Sequence, residues 1–245
     1  MIKITKNING KVLIINVESY LKEQGEALIN IISKIEQDKI INKFKIQIGF
    51  TIYTIIKEIE GFTIYSPDYK KNPFLDITND LTIALWIQLE QASLLNKLKI
   101  EGEIISFQDK IVCAKGVLDL DNIYLERIAN YEKGDSGWYI GAVDEDNSGN
   151  ELEAYYAYQM IKLRPSIIQV LALQSGYMTV FEKNKLKAVL NEDDIDILKI
   201  WANDRAKLSC YDPSVQKKYL HSRFWLFTVS TLKVSYQKNM AFLLV

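Results

Sequence analysis

The sequence predicts an α+β protein, built of mainly antiparallel sheets with a few packed amphipathic helices. Short apolar or alternating runs of strand length recur between turn dipeptides such as Asn9-Gly10 and Glu60-Gly61. Helical periodicity is confined to a few longer stretches, and strands follow one another through turns instead of alternating strictly with helices. With 48% apolar and 25% charged residues in 245, the chain has globular composition and can bury a sizeable core. It holds no internal repeat and no low-complexity tract.

Lys11 to Val17, Lys-Val-Leu-Ile-Ile-Asn-Val, is apolar on both faces and reads as a strand covered on both sides or packed under a helix, with Asn9-Gly10 as the turn before it. From about Tyr20 to Glu36, Leu21, Leu28, Ile32 and Ile35 recur at helical spacing, with Ser19 as N-cap; Gly25 weakens the first turns. Phe44 to Tyr53 alternates throughout, with Phe44, Ile46, Ile48, Phe50 and Ile52 on one face, and predicts a single strand with one wet face. Beyond Glu60-Gly61, Phe62 to Tyr65 forms a hairpin with the end of that run. Pro67 to Asp76 is a loop, and Leu81, Leu85, Leu89, Ala92 and Leu95 mark a helix capped by Thr78 or Asn79.

Gly102 to Asp109 reads as the junction between halves, so the expected organisation is an N-terminal α+β region over 1–104, a second α+β domain with a helical extension over 105–212, and a distinct tail over 213–245. In the second part, Ile111 to Ala114, Ile123 to Ile128, Trp138 to Val143 and Tyr177 to Phe181 are strands. Tyr155 to Leu163 starts extended and turns helical, and Pro165 opens a further helical segment. Glu192-Asp193-Asp194 with Asp196 begins an amphipathic helix, where carboxylates favour the N-terminus. The last acidic residue is Asp212, so the final 33 residues carry five Lys or Arg and no Asp or Glu. A basic arm docked on the body, a frameshifted end and a plain terminal element all fit that tail, which is expected to add little to the core.

The stretch from Tyr131 to Asp146 is a turn (Gly134 to Gly137), a strand and an acidic loop. From Glu132 to Glu153 seven acidic residues face the single Lys133, a local charge of -6 that either stays solvated or is matched by a basic partner. Trp138 is read as a core anchor, with Ile140 and Ala142 on its side and Tyr139 opposite, or as a partner contact.

Asp135-Ser136-Gly137-Trp138, Gly141, Asp144-Glu145, Tyr158 to Leu163, Pro165-Ser166-Ile167-Ile168 and Phe181-Glu182 together resemble the type-33 immunity proteins of bacterial polymorphic toxin systems, over about residues 106–185. The resemblance implies neutralisation of a cognate toxin by direct binding and brings no catalytic residue with it. On this reading the partner-binding residues are Asp135, Ser136, Trp138, Asp144, Glu145 and Asp146, and a basic toxin would match them.

Catalytic sets are missing. Gly134-Asp135-Ser136-Gly137 looks superficially like a serine-protease signature, but the only histidine, His221, lies downstream, and Trp138 stands where that signature has glycine. One histidine and two distant cysteines, Cys113 and Cys210, furnish no usual zinc site, and phosphate-cradling glycine loops are absent. The sequence therefore points to no metal, no cofactor and no enzyme. The alternatives left open are a small hydrolase using carboxylates near Asp144 and a calcium loop over Asp144 to Gly149. A net charge of -1 gives no basic field for nucleic acid, and no apolar run is long enough to span a membrane. With no secretory signal at the N-terminus, a cytoplasmic setting with unbridged, buried thiols is expected. The oligomeric state stays open.

Overall fold

The structure, a computed structural model, describes residues 1–143, 151–209, 233–237 and 240–244. It divides into two units. The first holds Met1–Ser93, Ile104–Gln108 and the two described C-terminal strands; the second holds Leu94–Glu103 and residues 109–209. Both contain a mixed sheet with mostly antiparallel pairing and packed helices, the α+β class expected.

In the first unit, β1 (Ile2–Ile8) and β2 (Lys11–Val17) pair antiparallel. Ile8 faces Lys11, so Asn9-Gly10 is a two-residue loop, and its φ values of 46° and 87° are the two positive angles a type I′ turn needs. After a 3-10 turn at Ser19–Leu21 comes α1 (Lys22–Ile32). Ser19 makes no capping bond and lies inside that turn, which corrects the predicted cap. Gly25 is present for packing: a Cβ there would lie 2.7 Å from the Ile4 side chain and 3.3 Å from that of Val17.

The predicted single strand from Phe44 to Tyr53 is instead a hairpin of β3 (Phe44–Ile48) and β4 (Thr51–Lys57). Gly49, at φ 58°, supplies the positive angle that lets the chain reverse within two residues. The alternation ran on through the reversal because Phe50 in the loop is itself buried. It packs against Tyr69 at a ring-centroid distance of 6.1 Å. β5 (Phe62–Pro67) pairs with β4 as expected, and the short β6 (Ile77–Thr78) pairs with β5. α2 (Thr82–Leu98) follows, with its N-terminal N–H bonded to Asp80 Oδ1 at 3.1 Å, so Asp80, not Thr78 or Asn79, serves as cap. Leu13, Ile15 and Val17 of β2, Ile46 and Ile48 of β3, and Tyr53 and Ile55 of β4 form one core with Leu28 and Ile32 of α1 and Leu81 and Leu85. Of the tail, β13 (Lys233–Gln237) and β14 (Met240–Leu244) pair antiparallel, and β14 runs parallel to β3; the rest of 210–245 lies outside the described residues.

The second unit holds β7 (Lys110–Ala114), β8 (Asn122–Arg127), β9 (Asp135–Ala142), β10 (Leu152–Tyr156), β11 (Met178–Glu182) and β12 (Lys185–Leu190). They are ordered β10-β7-β9-β8-β11-β12, and only β7 and β9 are parallel neighbours. Between β10 and β11 lie α3 (Met160–Leu163) and a 3-10 segment, Pro165–Val170, opened by its proline as predicted. α4 (Ile197–Ser209) follows β12, and Asp196 Oδ1 accepts from the N–H groups of Leu198 and Lys199. Ile2–Ile8 and Lys185–Leu190, for which the sequence shows no clear element, each lie at one end of a strand order; exposed Lys3, Thr5 and Asn7 alternate with half-buried residues in the first, and exposed Lys185 and Lys187 with Leu186 and Ala188 in the second. No described helix is long and apolar enough to cross a membrane.

Candidate partner-binding surface

The second unit's sheet has two unlike faces, set by the parity of its strands. Ile111, Cys113, Ile123, Leu125, Trp138, Ile140, Thr179 and Phe181 are buried on one side. Against them lies the segment carrying Ile167, Ile168, Val170, Leu171 and Leu173, also buried, and the Trp138 indole N–H donates to Leu171 O at 3.1 Å. Ala142 is buried on the same parity and Tyr139 is half-buried on the other, so Trp138 is the core anchor that one reading required. Cys113 is a free, buried thiol, and burial pushes its pKa up to about 11, away from reactivity. Cys210 lies outside the described residues.

The turn composition of Gly134 to Gly137 covers two features: a turn over Glu132–Asp135 closes just before β9, with the Asp135 N–H donating to Glu132 O at 3.0 Å, and a bulge in the pairing with β7 follows it. Lys110 faces Asp135 and Val112 faces Tyr139, so two steps on β7 span four on β9. Each residue of the motif has a part in holding that bulge. Asp135 Oδ1 accepts from the Gly137 N–H at 2.8 Å. The Ser136 hydroxyl donates to Lys110 O at 2.6 Å and accepts from the Trp138 N–H at 3.2 Å. Gly137 has φ 76°, and a Cβ there would meet the Tyr131 ring at 2.5 Å and Ile128 O at 2.8 Å, so no other residue fits.

Arg127 completes the support, and sequence reasoning missed it. Fully buried at the end of β8, it donates to Ser136 O at 3.1 Å, Glu103 O at 3.0 Å, Leu173 O and the Tyr131 hydroxyl at 3.1 Å, and pairs with the Glu103 carboxylate at 3.3 Å. The signal was parity: Ile123, Leu125 and Arg127 alternate onto the core face. Arg164 plays a similar part, donating to Leu118 O, Leu120 O, Asp121 O and Lys183 O. Both guanidiniums act as fixed forks that tie loops together.

Glu103 is the titratable member of the network. Burial pushes its carboxyl up, but the Tyr131 hydroxyl at 2.5 Å, the Ser175 N–H and hydroxyl, and the Arg127 charge together hold it below the usual carboxylate range. A depressed folded-state pKa contributes stability above the unfolded value of about 4.3, which is lost as pH falls through the folded one. Thermal melts from neutral to acid pH should therefore show the parent losing its advantage over Glu103→Gln below about pH 4. A constant difference between the two would contradict the assignment.

The opposite face carries Val112, Tyr124, Glu126, Tyr139, Met178 and Val180, each half-buried. Tyr124 and Tyr139 lie with ring centroids 6.0 Å apart, and burial raises both phenols. The Tyr124 ring lies over Gly141, where a Cβ would come within 2.5 Å of it. A rigid tyrosine pair on an accessible sheet face is the composition protein interfaces favour. At the β10 side the charge is acidic: Glu151 and Glu153 are joined in sequence by the run at 144–146.

Of the six residues singled out from sequence, Asp135 is half-buried at the bulge, while Ser136 and Trp138 are buried with their polar atoms bonded internally. Their place in the free protein is as support for the strand. Asp144, Glu145 and Asp146 lie outside the described residues, between β9 and β10. Among the described residues no three His, Cys, Asp or Glu side chains gather to hold a metal.

No curated protein and no solved structure matches the chain. The sheet just described, from Lys110 to Leu190, lies wholly inside residues 90–192, which match the family model of the Imm33-like domain.

Proposed function

We propose that this chain is a cytoplasmic immunity protein that neutralises a cognate bacterial toxin by binding it directly and occluding its working face, without catalysis of its own. The observation that carries the proposal is the match of residues 90–192 to the Imm33-like domain, a span that takes in one complete sheet together with the covering segment. The Tyr124/Tyr139 face supports it, since it offers aromatic area held rigidly from behind by Trp138 and Arg127. On this reading Asp135 and the acidic run Asp144, Glu145 and Asp146 draw in a basic toxin, while Ser136 and Trp138 fix the strand that presents them.

Steering acts on encounter. Charges kept for a partner stay solvated until it binds, so neutralising Asp144, Glu145 and Asp146 to Asn and Gln should leave stability nearly unchanged, each such charge being worth about 1 kcal/mol or less. It should slow association and flatten its salt dependence, with a smaller effect on dissociation. Binding kinetics at two salt concentrations, with the toxin recovered from the native host, make the measurement. Equal on-rates for parent and variant at low salt would remove those three residues from the interface. If instead the chain were a carboxylate hydrolase, substrate turnover would be found and lost in Asp144→Asn and Glu145→Gln.

A further inference from the structure

We propose that β10 is a docking edge, to which an extended, lysine- or arginine-bearing segment of the partner adds as a further strand; this rests on the binding role above and names its mode. Hydrogen bonds to β7 fix which way β10 points its backbone. Lys115 N donates to Glu151 O and Ala157 N to Asp109 O, each at 2.8 Å, so the odd-numbered residues 151 to 157 bond inward. Leu152 and Ala154 therefore direct their N–H and C=O groups away from the sheet, and β10 ends the strand order among the described residues. The next outward N–H, of Tyr156, is taken by Gln159 Oε1 at 2.8 Å, which closes that end of the edge.

Edges are normally guarded, and the contrast within this sheet is informative. The other end, β12, exposes Lys185 and Lys187, follows a register shift at Val180/Phe181 and packs against α4. β1 in the first unit exposes Lys3, Thr5 and Asn7. β10, Leu-Glu-Ala-Tyr-Tyr, has no lysine, proline or bulge, and Leu152 is 62% exposed. Its outward side chains Leu152 and Ala154 stand in register with Ala114 and Val112 and so continue the face that carries Tyr139.

Charge selects the occupant. Glu153 borders the edge, and Glu151, whose carboxylate pairs with Lys115 Nζ at 2.6 Å, precedes it. A second copy pairing through the same edge would bring a second Glu153 up to it, and like charges across paired strands are destabilising. A basic extended segment gains main-chain bonds from Leu152 and Ala154 and Coulomb attraction from Glu153.

The test uses the full chain, ¹⁵N-labelled, with an end-capped peptide of alternating lysine and valine as probe and the glutamate–valine counterpart as control. The expected result is that the basic peptide slows hydrogen exchange of the Leu152 and Ala154 amides and the acidic one does not. Ala154→Pro, which removes only an outward N–H, should weaken binding by about tenfold while the melting temperature holds, whereas docking through side chains alone would leave affinity unchanged. No protection at millimolar peptide, equal protection by both peptides, or protection that rises with protein concentration in the absence of peptide would each overturn the proposal. The assay needs no toxin, so its failure leaves the immunity reading standing, and failure of neutralisation leaves the edge result standing.

Discussion

Arg127→Met is expected to destabilise the second unit by about 3–5 kcal/mol, the range for removing one partner of a buried charged network. The methionine keeps most of the stem but none of the donors. Ser136 O, Glu103 O and Leu173 O would lose their shared partner, and Glu103 would lose its cation. Arg127→Lys should recover little of the loss, because one ammonium on a flexible stem cannot reproduce a planar fork aimed at acceptors on three different segments. Chemical denaturation, with hydrogen exchange of the β8 and β9 amides to localise the effect, makes the comparison. A lysine variant as stable as the parent would mean that charge alone matters at this position.

Trp138→Ala should cost about 3–5 kcal/mol, as expected when a large buried aromatic site is emptied. The indole is 1% exposed, donates to Leu171 O at 3.1 Å and has the Arg127 guanidinium 5.9 Å from its ring centroid. Trp138→Phe separates the terms, since it keeps most of the apolar area and gives up the hydrogen bond, for a loss nearer 1–2 kcal/mol. The readout is the denaturation midpoint at constant slope. If the alanine variant lost under about 1 kcal/mol, the indole would not be the anchor of this core.

These two residues show what was legible in the sequence and what was not. Trp138 stood out because an aromatic and β-branched run has a period of two, and that period assigns inward and outward sides without knowledge of the partner strands. Asn9-Gly10 was legible for a similarly local reason, as few dipeptides hold two consecutive positive φ angles. Phe44 to Tyr53 misled because Phe50 is buried in the hairpin loop, so the apolar rhythm did not break where the chain reversed. Gly134 to Gly137 signalled the turn that closes before β9 but not the bulge that follows it, since glycine, aspartate and serine favour backbone reversal without saying how pairing resumes beyond it. Arg127 and Arg164 were invisible by type, because a buried guanidinium depends on carbonyls brought in from distant segments. The half-buried tyrosine face was legible only through Tyr139, placed opposite Trp138, because its companion Tyr124 comes from a strand whose register the sequence does not state.

The most direct measurement of the central claim is the activity of the toxin recovered with this chain from its native host, assayed as the purified full-length chain is added in increasing ratio. Neutralisation by direct occlusion predicts that activity falls linearly to baseline at a stoichiometric ratio, with no substrate of the chain's own consumed. Toxin activity unchanged by an excess of the chain, or loss of activity at a catalytic ratio through alteration of the toxin, would contradict it.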